Sequence, residues 1–220
     1  MAQLALMIDL ARCIGCGSCE AACKLEHHLG PGQFRTRILT LTRPDDPERL
    51  EYVKAVCQQC ERPACMRACG AGAISKSPYD GIVTIDPERC TGCQECVRSC
   101  PYGVMSFDPR TQHADKCTLS AERRAVGLPP ACVSVCPTNA LSWGTTEELR
   151  ERAERGEHAG KTERAGKGDH PGGSQRGGKG ERAETGARVI RMVDHFGLAP
   201  STIYLEHVSS RTNPVPTGAR

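Results

Sequence analysis

The residues best suited to do chemistry are the fifteen cysteines, and their spacing says which chemistry. Cys90-Thr91-Gly92-Cys93-Gln94-Glu95-Cys96-Val97-Arg98-Ser99-Cys100-Pro101 is a complete C-x2-C-x2-C-x3-C-P run, a spacing that holds cubane iron–sulfur clusters. Three cysteines three apart can turn their thiolates inward from one tight loop. The fourth lies one helical turn further on, points elsewhere and serves the other cluster of a pair. Proline directly after it stops the helix. An odd number of cysteines argues against a disulfide framework. A zinc ribbon separates its two C-x2-C pairs by about 15–20 residues, whereas these four thiols all fall between Cys90 and Cys100.

A second run, Cys13, Cys16, Cys19 and Cys23, has the same cysteine spacing, with Lys24 in place of the proline. A third, Cys57, Cys60, Cys65 and Cys69, is a C-x2-C-x4-C-x3-C variant in which Gly70 takes the proline position and is expected to end the helix in a left-handed conformation. In the fourth, Cys117 is followed by Ser120 at the second-ligand position, then by Cys132 and Cys136-Pro137. Three runs of four and one of three account for all fifteen cysteines.

These runs need elements to present them, and the flanks repeat as the runs do. Ile8-Asp9 and Ile85-Asp86 stand at the same distance before Cys13 and Cys90. Ile74, Met105 and Leu141 follow Cys69, Cys100 and Cys136 at equal spacing, each after Ala or Val and before Ser. The repeating unit is strand, cysteine loop, short helix, turn, strand. Leu4 to Asp9, apolar at 4, 6 and 8, is its first strand. The expected fold is α+β: two pseudo-symmetric bacterial-ferredoxin-like modules of two clusters each. One comprises residues 1–30 with 110–146, and the other residues 52–109. Residues 31–51 form a hairpin insert with a Pro44-Asp45-Asp46-Pro47 turn.

Thr145 with Glu148 resembles a capping box, although the helix it would start has one Leu and almost no apolar face. Residues 147–186 are expected to form a flexible insertion; from Gly156 to Gly186 there are ten glycines and no Val, Leu, Ile, Met, Phe, Tyr or Trp. Trypsin is expected to cut there, at Lys161, Arg164, Lys167 or Arg176. Residues 187–220 are expected to form a C-terminal helix, with Val189, Met192, Val193 and Phe196 at helical spacing, and a docking tail containing Ile203-Tyr204-Leu205.

Composition agrees with a chain nucleated by cofactors. Aromatics are 4%, and Cys, Gly and Pro together supply 53 residues, so metal binding and folding should be linked. The net charge of +3 is too small to imply nucleic acid as partner. No run is long and apolar enough to span a bilayer. Met1 to Leu10 has no basic n-region and is not read as a cleavable signal, and reduced thiols point to synthesis in the cytoplasm. No Ser-His-Asp set, paired carboxylates or phosphate-binding glycine loop stands out. His27 and His28 are read as solvated or hydrogen-bonded to a ligand rather than as iron ligands. Lys24, Arg12, Arg89 and Lys116, next to cysteines, are either tuning charges or solvated ones.

The chain resembles the four-cluster ferredoxin-type electron-transfer subunits of the DMSO reductase and polysulfide reductase class of molybdopterin oxidoreductases. The resemblance covers residues 4–144 and, more weakly, 188–205. It is carried by Ile8-Asp9, Cys23-Lys24, the run at Cys57, Lys116-Cys117, Leu128-Pro129-Pro130-Ala131-Cys132 and Cys136-Pro137-Thr138-Asn139-Ala140-Leu141. It implies four ligand sets: Cys13, Cys16, Cys19 and Cys136; Cys23, Cys117 and Cys132 with Ser120; Cys57, Cys60, Cys65 and Cys100; and Cys69, Cys90, Cys93 and Cys96. The cofactors implied are four iron–sulfur clusters, mostly [4Fe-4S]. At the Ser120 set the alternatives are a serine-ligated four-iron cluster, a [3Fe-4S] cluster, or capture of the iron by water or His113. The implied partners are a molybdopterin catalytic subunit and a membrane-anchor, quinone-reactive subunit. The implied location is a membrane surface reached through those partners, on the cytoplasmic face or on the periplasmic face behind a twin-arginine-bearing partner. Two other readings compete: the same relay in a hydrogenase or formate-oxidising complex, and a zinc-binding structural protein.

Overall fold

The computed structural model describes residues 2–42, 48, 50–157, 187–190 and 199–207. In chain order the elements are β1 (Leu4–Asp9), α1 (Ser18–Glu26), β2 (Thr36–Thr42), β3 (Leu50–Val56), α2 (Ala64–Arg67), β4 (Ile74–Lys76), β5 (Val83–Ile85), α3 (Glu95–Ser99), β6 (Ser106–Asp108), β7 (His113–Asp115), α4 (Ala121–Ala125), α5 (Ala131–Ser134), β8 (Leu141–Thr145), α6 (Thr146–Glu154), β9 (Ala187–Ile190) and β10 (Ile203–His207). Helices and small sheets alternate in an α+β arrangement. One sheet has four strands, in the order β8-β1-β10-β9, and three two-stranded sheets pair β2 with β3, β4 with β5, and β6 with β7.

Each cysteine run is entered from a strand: β1 before Cys13, β3 before Cys57, β5 before Cys90 and β7 before Cys117. Entry and exit strands pair in the same register in both halves. Ile8 stands opposite Leu141 and Ile85 opposite Ile74. Just beyond, Asp9 N–H donates to Ala140 O and Asp86 N–H to Ala73 O, both at 2.8 Å. This accounts for the repeated Ile-Asp pair. The isoleucine closes the strand, and the aspartate carboxylate then accepts backbone N–H bonds that turn the chain into the cysteine loop: from Ala11 at 3.1 Å in one half and Glu88 at 2.9 Å in the other.

β1 is buried on both faces, more fully than its alternation at 4, 6 and 8 suggests. Leu6 and Ile8 pack with Cys19, Cys57, Cys117 and Cys132, whereas Ala5 and Met7 pack with Leu149, Ala153, Ile203 and Leu205. That second face continues onto the neighbouring strand β10 and is covered by α6. The capping box forms: Glu148 N–H donates to Thr145 Oγ1 at 3.2 Å, and Thr145 N–H to Glu148 Oε2 at 2.9 Å. Helix therefore occupies residues 146–154, including the first part of the segment assigned to a flexible insertion. Leu149 and Ala153, one turn apart, suffice as its apolar face because β1 and β10 present a flat surface to them. The rest of that segment from His158, with its tryptic sites, lies outside the described residues, as does the 44–47 turn.

Residues 187–190 form a strand, not the start of a helix. β9 pairs antiparallel with β10, and β10 runs parallel to β1. β-Branched Val189 and Ile190 lower helix propensity, and the open edge of β10 offers backbone partners that a short helix would lack. Met192, Val193 and Phe196 lie outside the described residues. The hairpin assigned to 31–51 also runs further, since β3 continues to Val56 and delivers Cys57 directly.

Candidate metal centres

The cysteine loops are built from left-handed residues at fixed offsets. Two positions after the first cysteine of each run stand Gly15 (φ 68°), Gln59 (φ 47°), Gly92 (φ 71°) and Leu119 (φ 53°). Three positions after Cys69, Cys100 and Cys136 stand Gly72 (φ 60°), Gly103 (φ 60°) and Asn139 (φ 51°). The left-handed stop after Cys69 is thus Gly72, not Gly70, because the chain needs two more residues before it can turn back into β4. A leucine with positive φ is costly, and its presence shows that the fourth run keeps the loop shape of the other three. Ser120 follows with φ 49°. Arg124 holds this strained turn: its Nε donates to Leu119 O at 3.0 Å, and its guanidinium pairs with Asp80 at 3.1 Å.

Cys13, Cys16, Cys19 and Cys136 line one pocket, Cys57, Cys60, Cys65 and Cys100 a second, and Cys69, Cys90, Cys93 and Cys96 a third. Counted out to their mouths they hold about 360, 350 and 320 Å³ of empty space. Cys23, Cys117, Ser120 and Cys132 are all buried. Cys117 and Cys132 are the thiols that bear on Cys23, and Ala131 N–H donates to Ser120 Oγ at 3.3 Å next to Cys132. Among the described residues, no three His, Cys, Asp or Glu side chains converge closely enough for a single metal ion. The thiols ring spaces instead, which suits a multi-iron centre better than tetrahedral zinc. His113 lies on β7 opposite Asp108 rather than on the Ser120 loop.

Cysteine sulfurs accept backbone N–H bonds, among them Cys69 from Ala73 at 3.3 Å, Cys136 from Ala140 at 3.2 Å and Cys117 from Leu119 at 3.4 Å. Such bonds stabilise charge on sulfur, and so fit thiolate ligands. In the bare chain, burial opposes that charge. Burial, followed by repulsion from Cys117, pushes the Cys23 thiol up to about 12, and burial with Cys57 does the same for Cys60. Burial first, then neighbouring thiols, raises Cys65 and Cys117 to about 11. A metal that binds these thiolates supplies the missing positive charge, so the donor set fits iron.

The four groups stand in a row. Cys19 and Cys23, one turn apart on α1, join the first to the Ser120 group. Cys117 and Cys57 pack in the same core cluster, and Gln59 Nε2 donates to Cys117 O at 2.8 Å, which joins the Ser120 group to the Cys57 group. Cys65 and Cys69 on and after α2, and Cys96 and Cys100 on and after α3, join the last two. Only Cys16 and Cys93, in the end groups, are exposed among the cysteines.

Of the cations next to cysteines, Lys116 is buried, donating to Val83 O and, at 2.9 Å, to Cys117 O. Lys24 instead lies over the Phe34 ring at 4.1 Å, and Arg89 is exposed and donates to Ala71 O at 3.3 Å. Lys54 escaped the sequence reading. It is 1% exposed and lines the first pocket; burial pulls its pKa down, but Cys132, Cys19, Cys117 and Cys23 outweigh this and hold it above its ordinary value. The available signal was its place two residues before buried Val56 on a strand, which puts both on the inner face. The docking of the C-terminal segment was also only partly legible: Ser201 N–H donates to Gln58 O at 2.8 Å, and Tyr204 Oη to Lys54 O at 3.0 Å, sealing the Cys57 loop.

A family model described as a 4Fe-4S dicluster domain matches residues 49–146, and one described as a 4Fe-4S binding domain matches residues 4–25. The thiosulfate reductase electron transfer subunit PhsB of Salmonella typhi is 40% identical over 151 residues, covering 66% of this chain and 78% of that protein. The probable anaerobic dimethyl sulfoxide reductase chain YnfG of Escherichia coli (strain K12) is 37% identical over 159 residues, covering 68% and 77%. The nitrate-inducible formate dehydrogenase iron-sulfur subunit of the same strain is 37% identical, covering 72% of this chain and 63% of that longer protein. With cysteine loops of one repeated shape and relatives of this kind, the chain belongs to the 4Fe-4S family of iron–sulfur electron-transfer subunits of molybdopterin oxidoreductase complexes, which lack a catalytic site of their own.

Proposed function

We propose that the chain is a four-cluster relay built as two ferredoxin-like modules, passing single electrons between a molybdopterin catalytic subunit and a membrane-anchored, quinone-reactive subunit. The ligand sets are Cys13, Cys16, Cys19 and Cys136; Cys23, Cys117 and Cys132 with Ser120; Cys57, Cys60, Cys65 and Cys100; and Cys69, Cys90, Cys93 and Cys96. When bound, the clusters supply the one-electron redox chemistry. The chain's residues hold them in sequence, keep the cysteines of the inner two buried or partly buried, and offer backbone N–H groups to charge on sulfur. The observation that carries this reading is the row of four cysteine groups with exposed cysteines, Cys16 and Cys93, only in the two end groups. A relay needs an entry and an exit at the surface and none between.

No helix among the described residues is long and apolar enough to cross a membrane, so membrane association is assigned to the partner. A relay in a formate-oxidising complex is the second reading, favoured by the formate dehydrogenase relative. Anaerobic affinity purification of the full chain from its own cells tests both. A molybdopterin subunit and a polytopic membrane protein should co-purify in about equal amounts, with the catalytic subunit's substrate identifying the complex. Recovery of the iron-loaded chain alone, from membranes solubilised gently, would overturn the proposal.

A further inference from the structure

Lys54 is a buried cation that has no carboxylate partner among the described residues. Its ammonium donates to Thr36 Oγ1 at 2.6 Å, across the β2–β3 pair, and its side chain is 1% exposed. The groups that bear on it are Cys132, Cys19, Cys117 and Cys23, and it also lines the pocket of Cys13, Cys16 and Cys136. It therefore stands between the first cysteine group and the Ser120 group. Burying an ammonium with one neutral hydroxyl for company is strongly unfavourable unless an anion is close. The anions available are the sulfur ligands of two neighbouring groups.

We propose that Lys54 is the shared counter-charge of these two centres, raising the reduction potential of both and weakening the repulsion between them when both are reduced. The inference rests on the ligand sets of the proposed function. Each centre gains an electron from its neighbour in the row and passes it on, and Lys54 keeps its proton throughout. Its fixed charge favours the more negative, reduced state on either side, and low local polarity makes that preference strong. The cysteines of the groups at Cys57 and Cys90 are not among those that bear most on Lys54, and these two groups serve as internal comparisons.

The test is an anaerobic redox titration of the purified complex, followed by EPR, comparing wild type with Lys54→Met, Lys54→Arg and Thr36→Val. Signals are assigned with single-cysteine variants. Lys54→Met should make reduction of at least one of the two flanking centres tenfold or more less favourable, a fall of 59 mV for one electron. Lys54→Arg should stay within threefold of wild type, and the other two centres should move less than the flanking pair. Should Lys54→Met fail to assemble, Thr36→Val, which keeps the charge but frees it, should shift the same two centres in the same direction by severalfold. Unchanged midpoints at both flanking centres, or an equal shift at all four, would overturn the inference while leaving the relay intact. Fewer than four assignable centres in the fully iron-loaded wild type would instead sink the ligand sets, and the inference with them.

Discussion

The chain freed of iron under reducing conditions is expected to lose its cooperative thermal transition altogether. The main core contains Cys19, Cys57, Cys117 and Cys132 alongside Leu6, Ile8, Val56, Ile82 and Leu141, so the metal sites are not appended to a core but are part of it. Without iron the same folded arrangement holds clustered buried thiols, kept protonated by burial, and a buried Lys54 with no anion to balance its charge. Metal binding free energy is then folding free energy. The pH dependence has two opposed parts. Cys23 and Cys60 rise from 9.0 to about 12 in the folded chain, so their contribution favours the bare fold below about pH 9 and is lost as pH climbs towards 12. Iron must displace the same protons, so its incorporation releases one proton per thiol and is opposed as pH falls. Circular dichroism on heating, with and without a chelator, checks the first point, and proton release during anaerobic reconstitution checks the second. A metal-free, reduced chain that melts cooperatively at the temperature of the loaded one would show that the core stands without iron.

Replacing Ser120 should have the other large effect. Serine oxygen is a harder and far less acidic ligand than sulfur, yet a metal lowers the proton affinity of whatever it binds. The structure adds a reason to expect that it does bind. Leu119 and Ser120 keep the left-handed turn of a cysteine loop, Arg124 clamps it, and Ser120 is 6% exposed next to Cys132. The expected state is a four-iron cluster with one oxygen corner, more readily oxidised than its neighbours. Ser120→Ala should remove about one iron per chain and produce a three-iron EPR signal on anaerobic oxidation. Ser120→Cys should leave four irons and slow loss of the cluster in air. A strong three-iron signal in the wild type before any exposure to air, abolished by Ser120→Cys, would show that the serine does not ligate.

The cysteine loops were legible because iron chemistry fixes both residue type and spacing, and the flanking Ile-Asp and exit positions because the two halves reuse one strand pairing. What escaped was set by long-range contact. Lys54 lies in the stretch just before Cys57, which carries no cue of its own until its partners across the molecule are known. The second buried face of β1 depends on α6 and β10, which arrive from far along the chain. A single Leu149 is weak as a periodic signal and sufficient as a packing contact. The strand at 187–190 follows from an edge that no local pattern announces. Gly70 and Gly72 could not be told apart by composition; the distance needed to reach β4 separates them.

Iron and acid-labile sulfide counted on the same anaerobically purified, full-length chain test the four-centre relay most directly. Four ligand sets predict about sixteen irons per chain, or about fifteen if the Ser120 corner is empty, with sulfide close to sixteen in either case. A fully loaded sample that saturates at about eight irons per chain would mean two clusters and would contradict the account.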